Sequence, residues 1–273
     1  MARLTSRRPV LRLRDGVRAT RPDVLAAEEP LEIRIAGRPL AVTMRTPGAD
    51  WDLVHGFLAT EGVIRGSADI RTLRYCDSVD DTGRNTYNVS DVELADGVAA
   101  PDASVTRNFY TTSSCGICGK ASIEAVTVDS PYDLHADEIA VSLDVVLTLP
   151  DKLRAAQEVF DKTGGLHAAG IFTSTGELLV VREDVGRHNA VDKVIGAMVR
   201  ADRLPLTGCI LMVSGRASFE LAQKALLAGI ATLAAVSAPS SLAADLADEA
   251  GMTLIGFVRG SGCNVYTGQS RVV

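Results

Sequence analysis

The chain is poor in aromatic residues: they make up 4% of 273 positions, with one Trp, five Tyr and six Phe. Proteins that stack bases need a platform of such rings, so a base-stacking nucleic-acid binder is excluded. A net charge of −6 also argues against coating DNA. Long apolar runs are missing. No stretch of eighteen or more apolar residues occurs, so a transmembrane helix is not expected and neither is a membrane partner. Arg7-Arg8 is followed by Pro9-Val10-Leu11 and then Arg12, which leaves no apolar h-region for an export signal. The Gly-x-Gly-x-x-Gly fingerprint and the phosphate-loop Gly-Lys-Ser/Thr are absent too, so standard dinucleotide and nucleoside-triphosphatase readings lack support. Five cysteines is an odd number in a chain too long to need disulfides. The expectation is reduced thiols and a cytoplasmic protein.

What remains is ordinary globular composition, 47% hydrophobic and 23% charged, enough for one large domain or two modest ones. Charge is unevenly placed. Residues 1–22 carry seven Arg against one Asp, so the rest of the chain is strongly acidic. Residues 1–24 therefore read as a basic, mobile arm.

From Leu31 the pattern alternates through Ile33 and Ile35, turns at Ala36-Gly37-Arg38-Pro39, and resumes at Leu40, Val42 and Met44, a β-hairpin pattern. Leu53, Val54, Phe57 and Leu58 have helical spacing up to Gly62. Residues 70–95 read as two strands. A small α+β domain over 25–105 is the expectation. Residues 106–148 read as a bridge, and residues 149–273 as an α/β domain. In that domain Asp151 to Thr163 reads as a helix, residues 167–182 as a hairpin, and Ala190 to Met198 as an amphipathic helix. The apolar runs Cys209–Val213, Thr232–Val236 and Thr253–Val258 alternate with helical stretches at 218–228 and 241–250. That alternation predicts a mainly parallel sheet covered on both faces.

Ligands of such sheets gather beyond the carboxyl ends of the strands. Three segments leave those ends: Ser214-Gly215-Arg216, Ser237 to Ser241, and Arg259-Gly260-Ser261-Gly262. Two lead into helix N-termini, where free N–H groups and the dipole favour an anion. Arg216 and Arg259 bring the planar fork that suits phosphate. Together they point to a phosphate- or nucleotide-bearing ligand. The alternative is ordinary caps and surface ion pairs.

The sharpest motif is Ser114-Cys115-Gly116-Ile117-Cys118-Gly119-Lys120. Its glycines leave the sulfurs accessible, and Lys120 favours the reactive thiolate. The pair fits a nucleophile that accepts and passes on a group, a redox dithiol, half a zinc site, or a structural pair. Zinc needs four ligands, and Cys76, Cys209 and Cys263 stand alone. His167 lies in Thr163-Gly164-Gly165-Leu166-His167, and His188 in the polar stretch Arg182 to Asn189. Taken singly, each reads as structural. The crowded polar loop between core elements reads as a binding wall.

These motifs together resemble the formate dehydrogenase accessory sulfurtransferases, the FdhD family. The likeness runs through Met44 to Gly48, His55-Gly56-Phe57-Leu58 with Glu61-Gly62, the Cys115 to Gly119 loop, and Thr163 to Ala169. It continues through Glu183 to Lys193, Ser214-Gly215-Arg216, Ser237-Ala238-Pro239, Gly256 to Gly260, and Asn264-Val265-Tyr266. It spans roughly residues 28–268.

The resemblance implies a sulfur carrier, an enzyme that works through a cysteine persulfide. Sulfur comes from a cysteine desulfurase. It goes to the bis(molybdopterin guanine dinucleotide) molybdenum cofactor, bound as a substrate, for the formate dehydrogenase catalytic subunit. Cys115 would carry the persulfide and Cys118 would assist. Phe257, Val258, Arg259, Gly260, Ser261 and Gly262 would contact the cofactor. Ser214, Gly215, Arg216 and Ser237 would do the same from the neighbouring loops. No permanent metal is implied. The family also implies a homodimer and a cytidine-deaminase-like larger domain. Deaminases hold zinc with His-x-Glu and a later Pro-Cys-x-x-Cys. Here Ala168 and Ala169 follow His167 and the cysteine pair lies upstream, so no deaminase chemistry is expected. The competing function is a cofactor-binding chaperone whose cysteines are incidental.

Overall fold

The computed structural model describes residues 4–76, 79, 83, 85–101 and 130–273. The chain begins with an antiparallel hairpin, β1 (Thr5–Arg14) and β2 (Val17–Ala26), in unbroken register around Asp15-Gly16. The basic arm is thus a regular ribbon. The sequence hides it because both faces are exposed, so no apolar side marks an alternation.

A second hairpin follows, β3 (Glu29–Ile35) and β4 (Arg38–Arg45), turning at Ala36-Gly37. Then come α1 (Asp50–Thr60), β5 (Ile70–Tyr75) and β6 (Val89–Leu94). The sheet order is β4-β3-β6-β5, and only β3 and β6 run parallel. Leu31, Ile33 and Ile35 all face inward, as the alternation predicts.

Beyond residue 130 the first helix is α2 (Leu143–Ala155), capped by Ser142 Oγ accepting from Asp144 N at 3.2 Å. The expected boundary at 148/149 falls inside it. Pro150 lies within the helix, whereas proline normally marks a start or a break. The single helix expected at 151–163 is therefore two, α2 and the short α3 (Glu158–Thr163). β2 rests against α3.

The remaining elements are β7 (His167–Thr173), β8 (Leu178–Asp184), α4 (Arg187–Arg200), β9 (Cys209–Val213), α5 (Phe219–Leu227), β10 (Thr232–Ala235), α6 (Ser241–Glu249), β11 (Thr253–Arg259) and β12 (Gly262–Thr267). Their sheet has the order β12-β11-β10-β9-β7-β8. Only β9, β10 and β11 run parallel. The sheet is mixed rather than mainly parallel, because tight hairpins close both flanks, β7–β8 and β11–β12, and short turns impose antiparallel pairing. The three central strands are buried on both faces, which is why they read as continuous apolar runs.

One continuous apolar core joins both sheets, from Leu31 through Val54 and Val194 to Ile255. The join is α1 packed on α4. Gly56 and Gly196 make it possible: a Cβ on either would stand 1.8 Å from a backbone oxygen of the other helix, Asp192 O and Asp52 O respectively. Among the described residues no helix is long and apolar enough to cross a membrane.

Candidate functional site

The carboxyl ends of β9, β10 and β11 open on one edge of the six-stranded sheet. The register brings two further strand ends there. Ala169 pairs with Val213 and His167 with Asp184, so the start of β7 and the end of β8 meet the end of β9.

Backbone bonds lace the strand-end loops into one rim. Ser237 N donates to Gly215 O at 3.3 Å, and Phe257 N donates to Ser237 O at 3.2 Å. Ala217 N donates to Ala238 O, and Ser240 N returns to Ala217 O at 3.0 Å. Ser240 Oγ caps α6 by accepting from Ala243 N. Ser214 Oγ accepts from Ala168 N at 2.9 Å, which ties the rim to β7.

The predicted cofactor contacts divide by exposure. Arg216, Arg259, Gly260, Ser261 and Gly262 are exposed, while Ser214, Gly215, Ser237 and Phe257 are half-buried. Val258 is fully buried in the core, so only its backbone can face a ligand. Gly260-Ser261 is a two-residue turn between β11 and β12, since Arg259 pairs with Gly262. Phe257 sits at a bulge with φ 53°, a left-handed conformation costly for a bulky side chain. Its ring lies 5.8 Å from the Arg259 guanidinium carbon. Strain of this kind concentrates at ligand-holding sites. Neither Arg216 nor Arg259 makes an ion pair among the described residues; both are exposed, and Arg259 rests over the Phe257 ring.

The rim also holds groups that the sequence reading left as structural. His167 lies beneath Gly215, where a Cβ would stand 3.5 Å from Nδ1. His188, in the first turn of α4, places Nε2 3.8 Å from Glu220 Oε2 of α5. His188 beside it outweighs burial and holds the Glu220 carboxyl down to about 2. Burial lowers the His167 pKa, and the Arg187 and His188 charges lower it further. No sequence spacing links His167 to this region; the antiparallel β7–β8 register, which pairs it with Asp184, does.

A buried polar staple fixes this edge to the first sheet. Asp184 is fully buried and meets Lys193 Nζ at 2.7 Å. The same carboxylate accepts from Thr46 N at 3.1 Å, Gly186 N at 2.8 Å and Asn189 Nδ2 at 3.1 Å. Lys193 Nζ donates to Thr46 O at 2.8 Å, and Asn189 Nδ2 donates to Met44 O at 2.8 Å. The Met44–Gly48 and Glu183–Lys193 motifs are thus two halves of one joint. Arg45, also fully buried, pairs with Asp50 at 2.9 Å behind it.

Cys115 and Cys118 lie outside the described residues. Of the others, Cys209 is buried in β9 and burial raises its pKa; burial also raises that of Cys263. Neither environment favours thiolate.

The FdhD/NarQ family model matches residues 26–273. A relative named sulfur carrier protein FdhD, from Streptomyces coelicolor, is 58% identical over 273 residues, covering 100% of this chain and 97% of that one. One of the same name from Mycobacterium tuberculosis is 56% identical over 275 residues and covers 100% of both. A solved structure of a candidate formate dehydrogenase accessory protein from Desulfotalea psychrophila matches with a TM-score of 0.76 at 22% identity. It covers 99% of this chain and 100% of its own, a likeness that establishes the fold. With a family model spanning nearly the whole sequence and relatives this similar from end to end, the chain belongs to the FdhD/NarQ family.

Proposed function

We propose that the protein is a sulfur carrier that loads sulfur on Cys115 and delivers it to a molybdenum cofactor bearing guanosine-diphosphate arms, in service of formate dehydrogenase. The observation that carries this reading is full-length identity above 55% to proteins named as sulfur carriers, in a chain whose sequence holds the Cys115-Gly116-Ile117-Cys118 pair. The buried or raised-pKa thiols of Cys209 and Cys263 support it, because they leave the loop pair better suited to nucleophilic work.

In the first step the Cys115 thiolate attacks the terminal sulfur of a cysteine desulfurase persulfide. The new S–S bond forms on Cys115 and the desulfurase leaves as its thiolate, so no oxidant is needed. Cys118 assists or accepts the sulfur in turn. The cofactor is the bound substrate that receives it. The fit to that substrate rests on the rim: the exposed Arg216 and Arg259, and the exposed Gly260-Ser261 turn. These suit a diphosphate. On this reading the partners are a cysteine desulfurase, the formate dehydrogenase catalytic subunit and a second copy of the chain, all in the cytoplasm. The six-stranded unit is the part we read as cytidine-deaminase-like.

Intact-mass spectrometry after incubation with a cysteine desulfurase and cysteine tests the carrier. The wild type is expected to gain the mass of one sulfur, and Cys115→Ala to lose that gain while keeping its circular dichroism. No gain in the wild type, with GDP still bound, would favour the cofactor-chaperone reading.

A further inference from the structure

The β1–β2 ribbon is held by its own chain at one end only. At the base, Ala27 N donates to Leu4 O at 2.9 Å and β2 rests against α3. Leu4 Cδ2 lies against Gly48, where a Cβ would stand 3.0 Å away. From Leu11 to Arg18 every residue is exposed, with Leu11 at 53%, Leu13 at 66% and Val17 at 64%. Four residues per strand make an uncovered tip about 13 Å long. A two-stranded hairpin is marginal in water without a further layer, and nothing in the same chain backs this tip. A surface that covers it would stabilise it.

The register says how the ribbon can dock. Residues opposite each other share a face, so Arg8, Arg12, Arg14 and Arg21 lie on one. Arg7 and Arg18 lie on the other, with Leu11 and Leu13. Every basic residue of the ribbon is Arg and none is Lys, the composition that favours protein interfaces. Pro9 pairs with Pro22. Neither has an N–H, so the pair sits where the ladder needs none, and the lost donors are the two that would point out of the edges. Strand addition is blocked midway along both edges, which leaves docking through side chains.

Charge selects the occupant. Residues 1–22 carry +6 in a chain of net −6, so the remainder holds −12. Ribbon repels ribbon and is attracted to the body of another copy. Unpaired acid gathers on α6, where Asp245, Asp248 and Glu249 are exposed beside Leu242, itself 46% exposed. The helix has no basic residue, and none of the three carboxylates makes an ion pair among the described residues. They crowd its C-terminal half, the negative end of the dipole. Arg271 and His135 reach only backbone oxygens there, Gly251 O and Glu249 O. A ribbon does not serve its own α6. The α3 helix that supports it is tied to β8, because Glu183 accepts from Val159 N and Phe160 N. The α6 helix packs on β11 and β12, and β8 and β12 are opposite edges of the sheet.

We propose that two copies of the chain exchange ribbons, each laying its arginines and leucines on the α6 face of the other. This supplies the surface for the second copy named in the functional reading and is independent of sulfur transfer. Each copy has one ribbon and one α6 face. Reciprocal exchange therefore closes on a two-fold axis, whereas a one-way contact would grow into a filament. The arginine forks meet carboxylates, and Leu11 and Leu13 meet Leu242.

Sedimentation equilibrium of the full-length chain tests the exchange, with circular dichroism as the control for folding. The wild type is expected to dimerise, and to do so more weakly as salt rises. R12E/R14E is expected to weaken the dimer about a hundredfold, since four surface ion pairs are lost across the two contacts. D245R/D248R is expected to do the same. L11S/L13S is expected to weaken the dimer while keeping its salt dependence. The decisive experiment mixes the two charge-reversed variants. In the mixed dimer the glutamates of one ribbon face the arginines of the other copy's α6, and the remaining contact is native. Heterodimers should therefore form at wild-type affinity from two proteins that do not dimerise alone. A wild type that stays monomeric at every concentration measured overturns the inference. So does a dimer indifferent to R12E/R14E, or a mixture that restores nothing. A monomer whose ribbon binds single-stranded RNA or anionic vesicles instead overturns it as well. Sulfur loading on Cys115 is read separately by mass, so each of these results leaves the carrier reading standing.

Discussion

Lys193 has its ammonium group 2.7 Å from a fully buried carboxylate, Asp184, and 2.8 Å from Thr46 O. Replacing such a pair by apolar groups can be neutral, but removing one partner leaves a charge without compensation. Lys193→Met is therefore expected to cost about 3–5 kcal/mol, read as a lower urea midpoint. A loss below about 1 kcal/mol would show that the joint is not fixed by this pair. The titrating residues of the rim give a second prediction. Glu220 ionises at about 2 in the fold against 4.5 ordinarily, so its contribution is present above pH 4.5 and lost as pH falls towards 2. His167 and His55 have lowered pKa values, chiefly from burial, so the unfolded chain binds their protons first. Their effect is a loss of stability that begins as pH falls below about 6.5. Denaturant midpoints should decline in two stages on acidification. H167Q should flatten the upper stage and E220Q the lower. The histidines show why residue chemistry was only half legible. A lone His in Gly-Gly-Leu-His carries no sign of its neighbours, and only the pairing of His167 with Asp184 reveals them.

At the scale of elements, apolar periodicity located α1, α4 and the three central strands, because each buries a regular stripe or run. It failed at α2, where the helix was expected to begin at Asp151 and Ser142, the real cap, went unread. It failed again at β1–β2, whose faces are both wet. Periodicity also said nothing of how closely two helices approach. Gly56 and Gly196 hold that information, and each looks in sequence like a weak spot in a helix. At an exposed helical site Gly→Ala stabilises by roughly 0.5–1 kcal/mol. Here the added Cβ meets a backbone oxygen at 1.8 Å, which cannot rotate away, so the helices must part. Overpacking of this kind costs typically 1–3 kcal/mol and can cost more. Gly56→Ala and Gly196→Ala are each expected to lower the thermal midpoint. An unchanged or raised midpoint in either would contradict the close crossing.

At the scale of the molecule, the pattern of elements read the chain as a small α+β domain, a bridge and an α/β domain. The structure joins the two sheets through one apolar core, the α1–α4 crossing and the Asp184–Lys193–Thr46 joint. Two units that share a core cannot lose it separately, because parting them exposes apolar surface at about 25 cal/mol per Å² and strands buried charges. The chain supplies its own reporter. Its single tryptophan, Trp51, lies in α1 and stacks on Tyr75 at 4.3 Å, so its fluorescence follows the first sheet's side of the crossing. Far-ultraviolet circular dichroism follows mainly the helices beyond residue 140, which hold five of the six among the described residues. In urea the two signals are expected to change together with one midpoint, as all-or-none unfolding requires. Fluorescence that moves first, with the helical signal intact, would mean that the first sheet peels away alone. The rim would then stand on the second sheet, and the staple at Thr46 would be a docking contact instead of part of its frame. Coincident curves would instead make every residue of that joint a determinant of the rim's geometry.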